Sequence, residues 1–393
     1  MPSKSRIYFL DALRAFAILM MLQGHFISGL LDTSTIDTTH WIYTFWLYCR
    51  GFTAPVFFTI TGWIFCFLLI RDEHDNYNPR IKKGIKRGLE LLLWGYLLRL
   101  NLPTLFYGSI NGSFSQPDVL HVIGLSIVFI LTLYLCFRFL KQHLAWVFML
   151  LGLLIFLFEP LYTQLNLDSI PEFIASYIIK GYGGVFYLFP WVGYVFIGSS
   201  IAFFFNYQYG RSTLWILAFA TVGFLLVFAS SPFLNWIGNE FNVSLFKLIA
   251  QNNYLFIRLG DFFVLLSVFI FFENRFQNGV WMFLGTNTLD LYIVHYFILY
   301  GSLSGWGLYK FFAHQLNLTE TLMGLFLFLT FCIGIVFILK KQNSPMKPYV
   351  LFSLIFLIIS TASCSKEENN TLQIEGTLIR INHYIEDCVG IIE

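Results

Sequence analysis

Charge is what this chain has least of. Only 12% of its 393 residues are Asp, Glu, Lys or Arg, against 57% hydrophobic, and mean hydropathy is +0.70. A soluble domain of that length needs far more polar surface, so a polytopic membrane protein is expected. No nucleic-acid partner is expected, and the net charge of +2 matters less than where the charges lie. The cysteines, at positions 49, 66, 136, 332, 364 and 388, form no CxxC or His/Cys spacing, which argues against a zinc site or disulfide framework and for mostly free thiols. No metal is expected. GxSxG, HExxH and Walker patterns are all missing, so none of those chemistries competes.

What is present is a series of apolar runs. About ten are long enough to approach a bilayer span, near 7–31, 52–70, 89–107, 118–137, 144–160, 185–205, 213–230, 254–272, 280–300 and 321–339. The fold class expected is all-α, an integral membrane bundle of about ten helices. With the N-terminus cytoplasmic, Lys4, Arg6, the cluster from Arg71 to Arg87, Arg138, Lys141, Arg211, Arg275, Lys340, Lys341 and Lys347 fall inside. Only Arg50, Lys180, Lys247 and Lys310 fall outside, and this bias places the N-terminus and the end of the bundle in the cytoplasm. Three N-x-S/T triplets, at Asn111, Asn242 and Asn317, lie in predicted outer loops and carry little weight.

Few charges interrupt the runs, and those that do are costly enough to imply a role. The first run, IYFLDALRAFAILMMLQGHFISGLL, holds Asp11, Arg14 and His25. At 100° per residue Arg14 and His25 lie about 20° apart, with Asp11 within about 60° of both, so all three share a face. Eleven residues separate arginine from histidine, roughly 16 Å or half the hydrocarbon thickness. Asp11 and Arg14 fall toward the cytoplasm, and His25 toward the outside. Asp118 and His121 begin the fourth span three residues apart; Arg258 and Asp261 repeat that spacing in the eighth; Asn287, Asp290 and His295 occupy the ninth. Arg99 is placed midway or further out in the third.

His25, His121, His295, Arg258 and Arg99 thus converge in the outer half, where chemistry is expected. His25, Arg14, Asp11, His121 and His295 are the candidate catalytic residues; Arg99, Arg258, Asp261, Asp290 and Asn287 are candidates for substrate binding. Each has a plainer reading: Arg258 with Asp261, or Asp11 with Arg14, as self-neutralising pairs, and His121 or His295 as interhelical hydrogen bonds. His25 is the preferred proton acceptor, because imidazole takes and returns a proton near neutral pH.

The stretch Arg71 to Gly88, RDEHDNYNPRIKKGIKRG, reads as a basic inner loop. It serves topology against anionic lipid and also suits a phosphorylated cytosolic donor such as acyl-CoA, with Lys82, Lys83, Lys86 and Arg87 as the donor-binding candidates. From Met346 the chain changes character. MKPYVLFSLIFLIISTASC resembles a bacterial lipoprotein signal peptide, with an apolar run of about 11 residues, short for a spanning helix, ahead of Cys364. That resemblance implies lipidation of Cys364. Residues 1–343 are therefore taken as one membrane domain, and 344–393 as a segment that a fused neighbouring reading frame accounts for.

The first run resembles the opening helix of transmembrane acyltransferases, in which an arginine and a histidine about ten residues apart recur, here Arg14 and His25. GFTAPVFFTITGW, from Gly51 to Trp63, is similar to the second-helix signature of that superfamily, and DVLHVIGLS, FPWVGYVFIG and LGTNTLDLYIVH look like later segments. The combination most resembles the heparan-alpha-glucosaminide N-acetyltransferase-like branch, with Ala15 where glycine is frequent. The resemblance implies transfer of an acetyl or other short acyl group from cytosolic acyl-CoA to a sugar hydroxyl or amine of an extracytoplasmic glycan or glycolipid. The lipoprotein-signal-like segment argues for a bacterial source and so for a bacterial cytoplasmic (inner) membrane, with membrane lipids as the other partner. The acyltransferase resemblance makes His25 general base or transient acyl carrier, with Arg14 orienting the site or engaging the donor. A proton-coupled transporter or flippase would line a path with the same charges, although no inverted repeats or matching Gly/Pro-broken helices stand out. A catalytically dead scaffold is the third possibility.

Overall fold

The computed structural model describes residues 6–72, 78–110, 112–137, 143–205 and 213–341. The expectations for Lys4, Arg138, Lys141, Arg211, Lys347, Cys364 and the whole of 344–393 fall outside the described residues.

The described residues form an all-helical bundle whose only strand-like pairings are two isolated bridges, Leu31 with Leu316 and Asn101 with Leu303. In chain order the helices are α1 (Tyr8–Leu30), α2 (Trp41–Gly51), α3 (Thr53–Arg71), α4 (Pro79–Arg99), α5 (Leu102–Phe106), α6 (Val119–Phe137), α7 (Leu144–Leu157), α8 (Glu159–Tyr162), α9 (Glu172–Ile178), α10 (Leu188–Phe204), α11 (Thr213–Phe224), α12 (Ser230–Glu240), α13 (Ser244–Gln251), α14 (Tyr254–Phe271), α15 (Gly279–Thr286), α16 (Thr288–Tyr300), α17 (Leu308–Phe312) and α18 (Leu318–Lys341). Six stretches are long and apolar enough to cross a membrane: Tyr8–Leu30, Trp41–Arg71, Val119–Phe137, Thr213–Glu240, Tyr254–Phe271 and Leu318–Lys341. Leu144–Leu157, Leu188–Phe204 and Thr288–Tyr300 are apolar but shorter.

The basic stretch is mostly helix rather than loop. Asn78 caps α4, its side chain accepting from the backbone N–H of Arg80 at 3.0 Å, and Pro79 occupies the first turn, where its missing N–H costs nothing. Arg80, Lys82, Lys83, Lys86 and Arg87 therefore project from the first turns of α4 in fixed directions. In place of the expected third span at 89–107, the helix here runs over 79–99; it is not among the six stretches above, and Arg99 ends it instead of sitting within it.

Small residues let these helices approach closely, as expected where lipid removes the hydrophobic drive between helices. At the extensive α3–α10 interface, a Cβ on Gly62 would strike the Val195 carbonyl, and one on Gly198 the Thr59 carbonyl. Gly62→Leu is accordingly expected to lower the unfolding temperature of the purified protein through about 1–3 kcal/mol of overpacking, whereas the same change at Gly279, where a Cβ meets nothing, has little effect. The periphery is apolar too: Phe228, Phe326, Leu327 and Phe331 are at least 60% exposed, a surface suited to lipid tails.

Candidate active site

Helices α1 and α16 run side by side and are joined by two polar rungs. Arg14 Nη2 donates to Thr288 Oγ1 at 2.9 Å, and His25 Nδ1 lies 2.9 Å from the Tyr300 hydroxyl. The rungs are 11 residues apart on one helix and 12 on the other, so the two helices are parallel and in register, and the rungs are separated by roughly 16 Å. The break at Asn287 makes this possible: α15 packs its Gly285 flat against the Asp11 carbonyl, and the chain restarts at Thr288 beside Arg14.

The His25 rung is part of a ring cluster. His295, fully buried, lies 5.5 Å from His25 between ring centroids and packs edge-on against Tyr292 at 5.0 Å and Tyr296 at 5.3 Å. Neither ring nitrogen of His295 makes a hydrogen bond of ordinary geometry. The ring faces the backbone carbonyls of Leu291 and Tyr292 one turn back on its own helix. A second cluster abuts the first. Asp118 Oδ1 accepts from His121 Nδ1 at 2.8 Å and from the backbone N–H groups of Leu120 and His121 at 2.9 and 3.3 Å, while Oδ2 lies 3.8 Å from Arg99 Nε. His121 Nε2 is buried without a hydrogen-bond partner, and its ring lies edge-on to Tyr96 at 4.4 Å. Arg99 is also within electrostatic reach of Tyr292 and Tyr296, which joins the two clusters. Gly95 makes room for this: a Cβ there would collide with the His121 ring.

A cavity of about 400 Å³ leads toward these residues from the Arg14 end. Taking the cationic end, Arg80, Lys83 and Arg87 from the first turns of α4, as its mouth, Arg14 and Thr288 come next and Tyr292, one turn along α16, lies further in. Tyr292 thus has the cavity on one side and His295 on the other. Leu91 also lines the cavity, and Gly95, which carries the His121 ring, is one helical turn beyond it.

In comparison with known proteins, the acyltransferase-3 family model, described as an acyltransferase domain, matches residues 7–339. The chain belongs to the acyltransferase-3 family. No curated protein matches it. The acyltransferase domain spans nearly all of the described residues and ends before Met346. The membrane-spanning helices and the family together make the protein an integral membrane acyltransferase.

Within that domain the expected residues separate into groups. His25 and His295 meet, and Asp118, His121 and Arg99 form the adjoining cluster. Asp11 lies 3.5 Å from Arg14 and accepts from Arg6 Nε at 2.8 Å, at the far rung from His25. Arg258 pairs with Asp261 at 3.0 Å and with α2, its guanidinium 4.4 Å above the Tyr48 ring and donating to the Tyr48 carbonyl; Tyr48 in turn donates to Asp261 at 2.6 Å. These contacts anchor α2 to α14 and do not bring the pair to the histidines. Asp290 faces Lys340 at 2.7 Å, and Asn287 donates to the Phe283 carbonyl at the helix break, so both serve the Arg14 end. Of the basic candidates, Lys83 and Arg87 line the cavity, and Lys82 and Lys86 do not. Among the described residues no group of three or more His, Cys, Asp or Glu is placed to hold a metal ion.

Several site residues went unread in the sequence. Tyr292, Tyr296 and Tyr300 recur every fourth residue beside His295, a spacing that puts them along one side of a helix and was available from LYIVHYFILY. Arg50 lies against Gly24 and within electrostatic reach of His25, donating to Ser28, and had been counted only as an outer loop charge. Arg80 completes the cavity mouth, where Asp72 accepts from it at 2.6 Å. Hydrogen bonds from Arg71 first and then Arg80 hold the Asp72 carboxyl down to about 2, so it stays ionised at physiological pH.

Proposed function

We propose that this protein moves an acyl group from cytosolic acyl-CoA to a sugar hydroxyl or amine on the extracytoplasmic side, within a bacterial inner membrane. The observation that supports it best is the cavity. Its mouth is lined by three cations, Arg80 and Arg87 with carboxylate partners outside the lining, as suits a phosphorylated donor, and further in it is lined by Tyr292 with the histidine pair behind. The N-terminus and the mouth face the cytoplasm in this reading, in keeping with the basic-residue bias, and His25 lies toward the other face. The acceptor falls in the class used by the heparan-alpha-glucosaminide N-acetyltransferase-like branch, a glycan or glycolipid.

In the transfer step His25 takes the proton from the acceptor hydroxyl or amine. The acceptor atom bonds to the thioester carbonyl carbon, the carbon–sulfur bond breaks, and CoA leaves as thiolate, which recovers a proton. Tyr300 fixes the orientation of the His25 ring, His295 packs behind it, and Tyr292, which lines the cavity, is the polar side chain nearest the developing oxyanion. Arg14 holds the donor rather than the acceptor, since it lines the cavity about 16 Å from His25.

Charge reversal at the mouth tests donor binding. Arg87 pairs with Glu90 at 3.0 Å and Arg80 with Asp72, whereas among the described residues no ion pair engages Lys83. Lys83→Glu together with Arg87→Glu is expected to raise the KM for acyl-CoA about tenfold with kcat little changed, the loss shrinking as salt is added. An unchanged KM would remove the mouth from donor binding.

A further inference from the structure

We infer that the far end of this cavity is an acyl-chain pocket and that the protein prefers a donor chain longer than acetyl. The inference rests on the acyl-CoA reading above and narrows its donor. Beyond Arg14 and Thr288 the walls are Phe57, Met21, Leu91, Val119, Leu120 and Ile123, contributed by α1, α3, α4 and α6. Among the described residues lining this end, Tyr292 is the polar one. The hydroxyls nearer the middle are already engaged, Thr61 with the Phe57 carbonyl at 2.7 Å and Thr288 with Arg14.

Such an end does not suit the amide-bearing arm of CoA, because each buried amide without a partner is costly. An acetyl group would leave most of it empty. A hydrocarbon chain fills it and needs no hydrogen bonds. With phosphates at the Arg80–Lys83–Arg87 mouth and the chain among Phe57, Val119 and Leu120, the thioester falls beyond Arg14 and Thr288, beside Tyr292, on the side of the cavity nearest His295 and His25. Tyr292 is there the side chain between thioester and His295. Phe57, in the first turns of α3, and Val119 and Ile123, in the first turns of α6, line this end and set the length of chain that fits.

The test uses the full-length protein in nanodiscs, with empty nanodiscs to correct for partitioning. Acetyl-, butanoyl-, hexanoyl- and octanoyl-CoA are compared in direct binding and in CoA release with cell-envelope glycans as acceptor. Affinity is expected to rise about fourfold for each methylene first added and to level off once the pocket is full. Ile123→Phe is expected to move the levelling point to a shorter chain, and Phe57→Ala to a longer one, so either variant carries the test if the other does not fold. Affinity that is flat or falls from acetyl onward overturns the pocket. So does a copurifying phospholipid that octanoyl-CoA does not displace. Rising affinity with no CoA release from any donor leaves the pocket standing and counts instead against the transfer reading.

Discussion

His25→Ala is expected to lower acyl transfer by about 10²–10⁴-fold, the range lost when a positioned acid–base group is removed. The fold should survive the change. His25 is half-buried, its helix is held by the Arg14–Thr288 rung and by the close contact of Gly285 with the Asp11 carbonyl, and neither involves the imidazole. Binding of acyl-CoA should also survive, because the cavity is lined by Arg14 and Tyr292 and not by His25. The expected pattern is thus a loss in kcat at nearly constant donor KM, with an unchanged unfolding temperature. Tyr300→Phe removes only the hydroxyl that orients the ring, and a smaller loss in kcat is expected from it. Transfer at the wild-type rate in His25→Ala would take that residue out of the chemistry.

Asp118→Ala is expected to be the most damaging single change to stability. Asp118 is 2% exposed and has three simultaneous tasks: it caps the start of α6, accepts from His121, and stands beside the buried Arg99. Its removal strands backbone N–H groups at a helix N-terminus and leaves a buried guanidinium without its carboxylate. Breaking a buried pair in this way costs about 3–5 kcal/mol, which should lower the unfolding temperature in detergent by on the order of 10 °C. Asp118→Asn keeps the cap oxygen and is expected to lose less. Replacing both Asp118 and Arg99 by leucine should recover much of the stability, since two apolar side chains need no compensation. Equal melting of the wild type and Asp118→Ala would show that the Arg99–Asp118 contact contributes little.

Much of the first helix was legible without coordinates. The 3.6-residue period puts Asp11, Arg14 and His25 on one face, and the structure uses that face as expected, with Arg14 and His25 each bonded to α16. Their partners, Thr288 and Tyr300, are more than 270 residues away in sequence, and no local pattern announces which helix will lie alongside. The basic stretch was misread because five cations in nine residues look like solvated loop, while the stronger signal, an asparagine followed by proline, marks a helix start. Moving that start to Pro79 carries Lys83 and Arg87 into the cavity and Arg99 to the helix end. Of the five polar residues expected to converge, four lie together, His25, His121, His295 and Arg99, whereas Arg258 takes up Asp261 and Tyr48 on another side of the bundle. Depth is readable from span direction; position around the bundle axis depends on packing of groups such as Gly62 with Val195.

The sidedness of transfer tests the proposed function most directly. Sealed membrane vesicles from cells expressing the protein are prepared in both orientations, and labelled acetyl-CoA or octanoyl-CoA is supplied only from outside. Label is expected in the glycan fraction of inverted vesicles, where the Arg80–Lys83–Arg87 mouth faces the donor, and not in right-side-out vesicles. His25→Ala should abolish it. Label appearing equally in both orientations, or a solute crossing the membrane with no label transferred, would contradict transfer through the bundle.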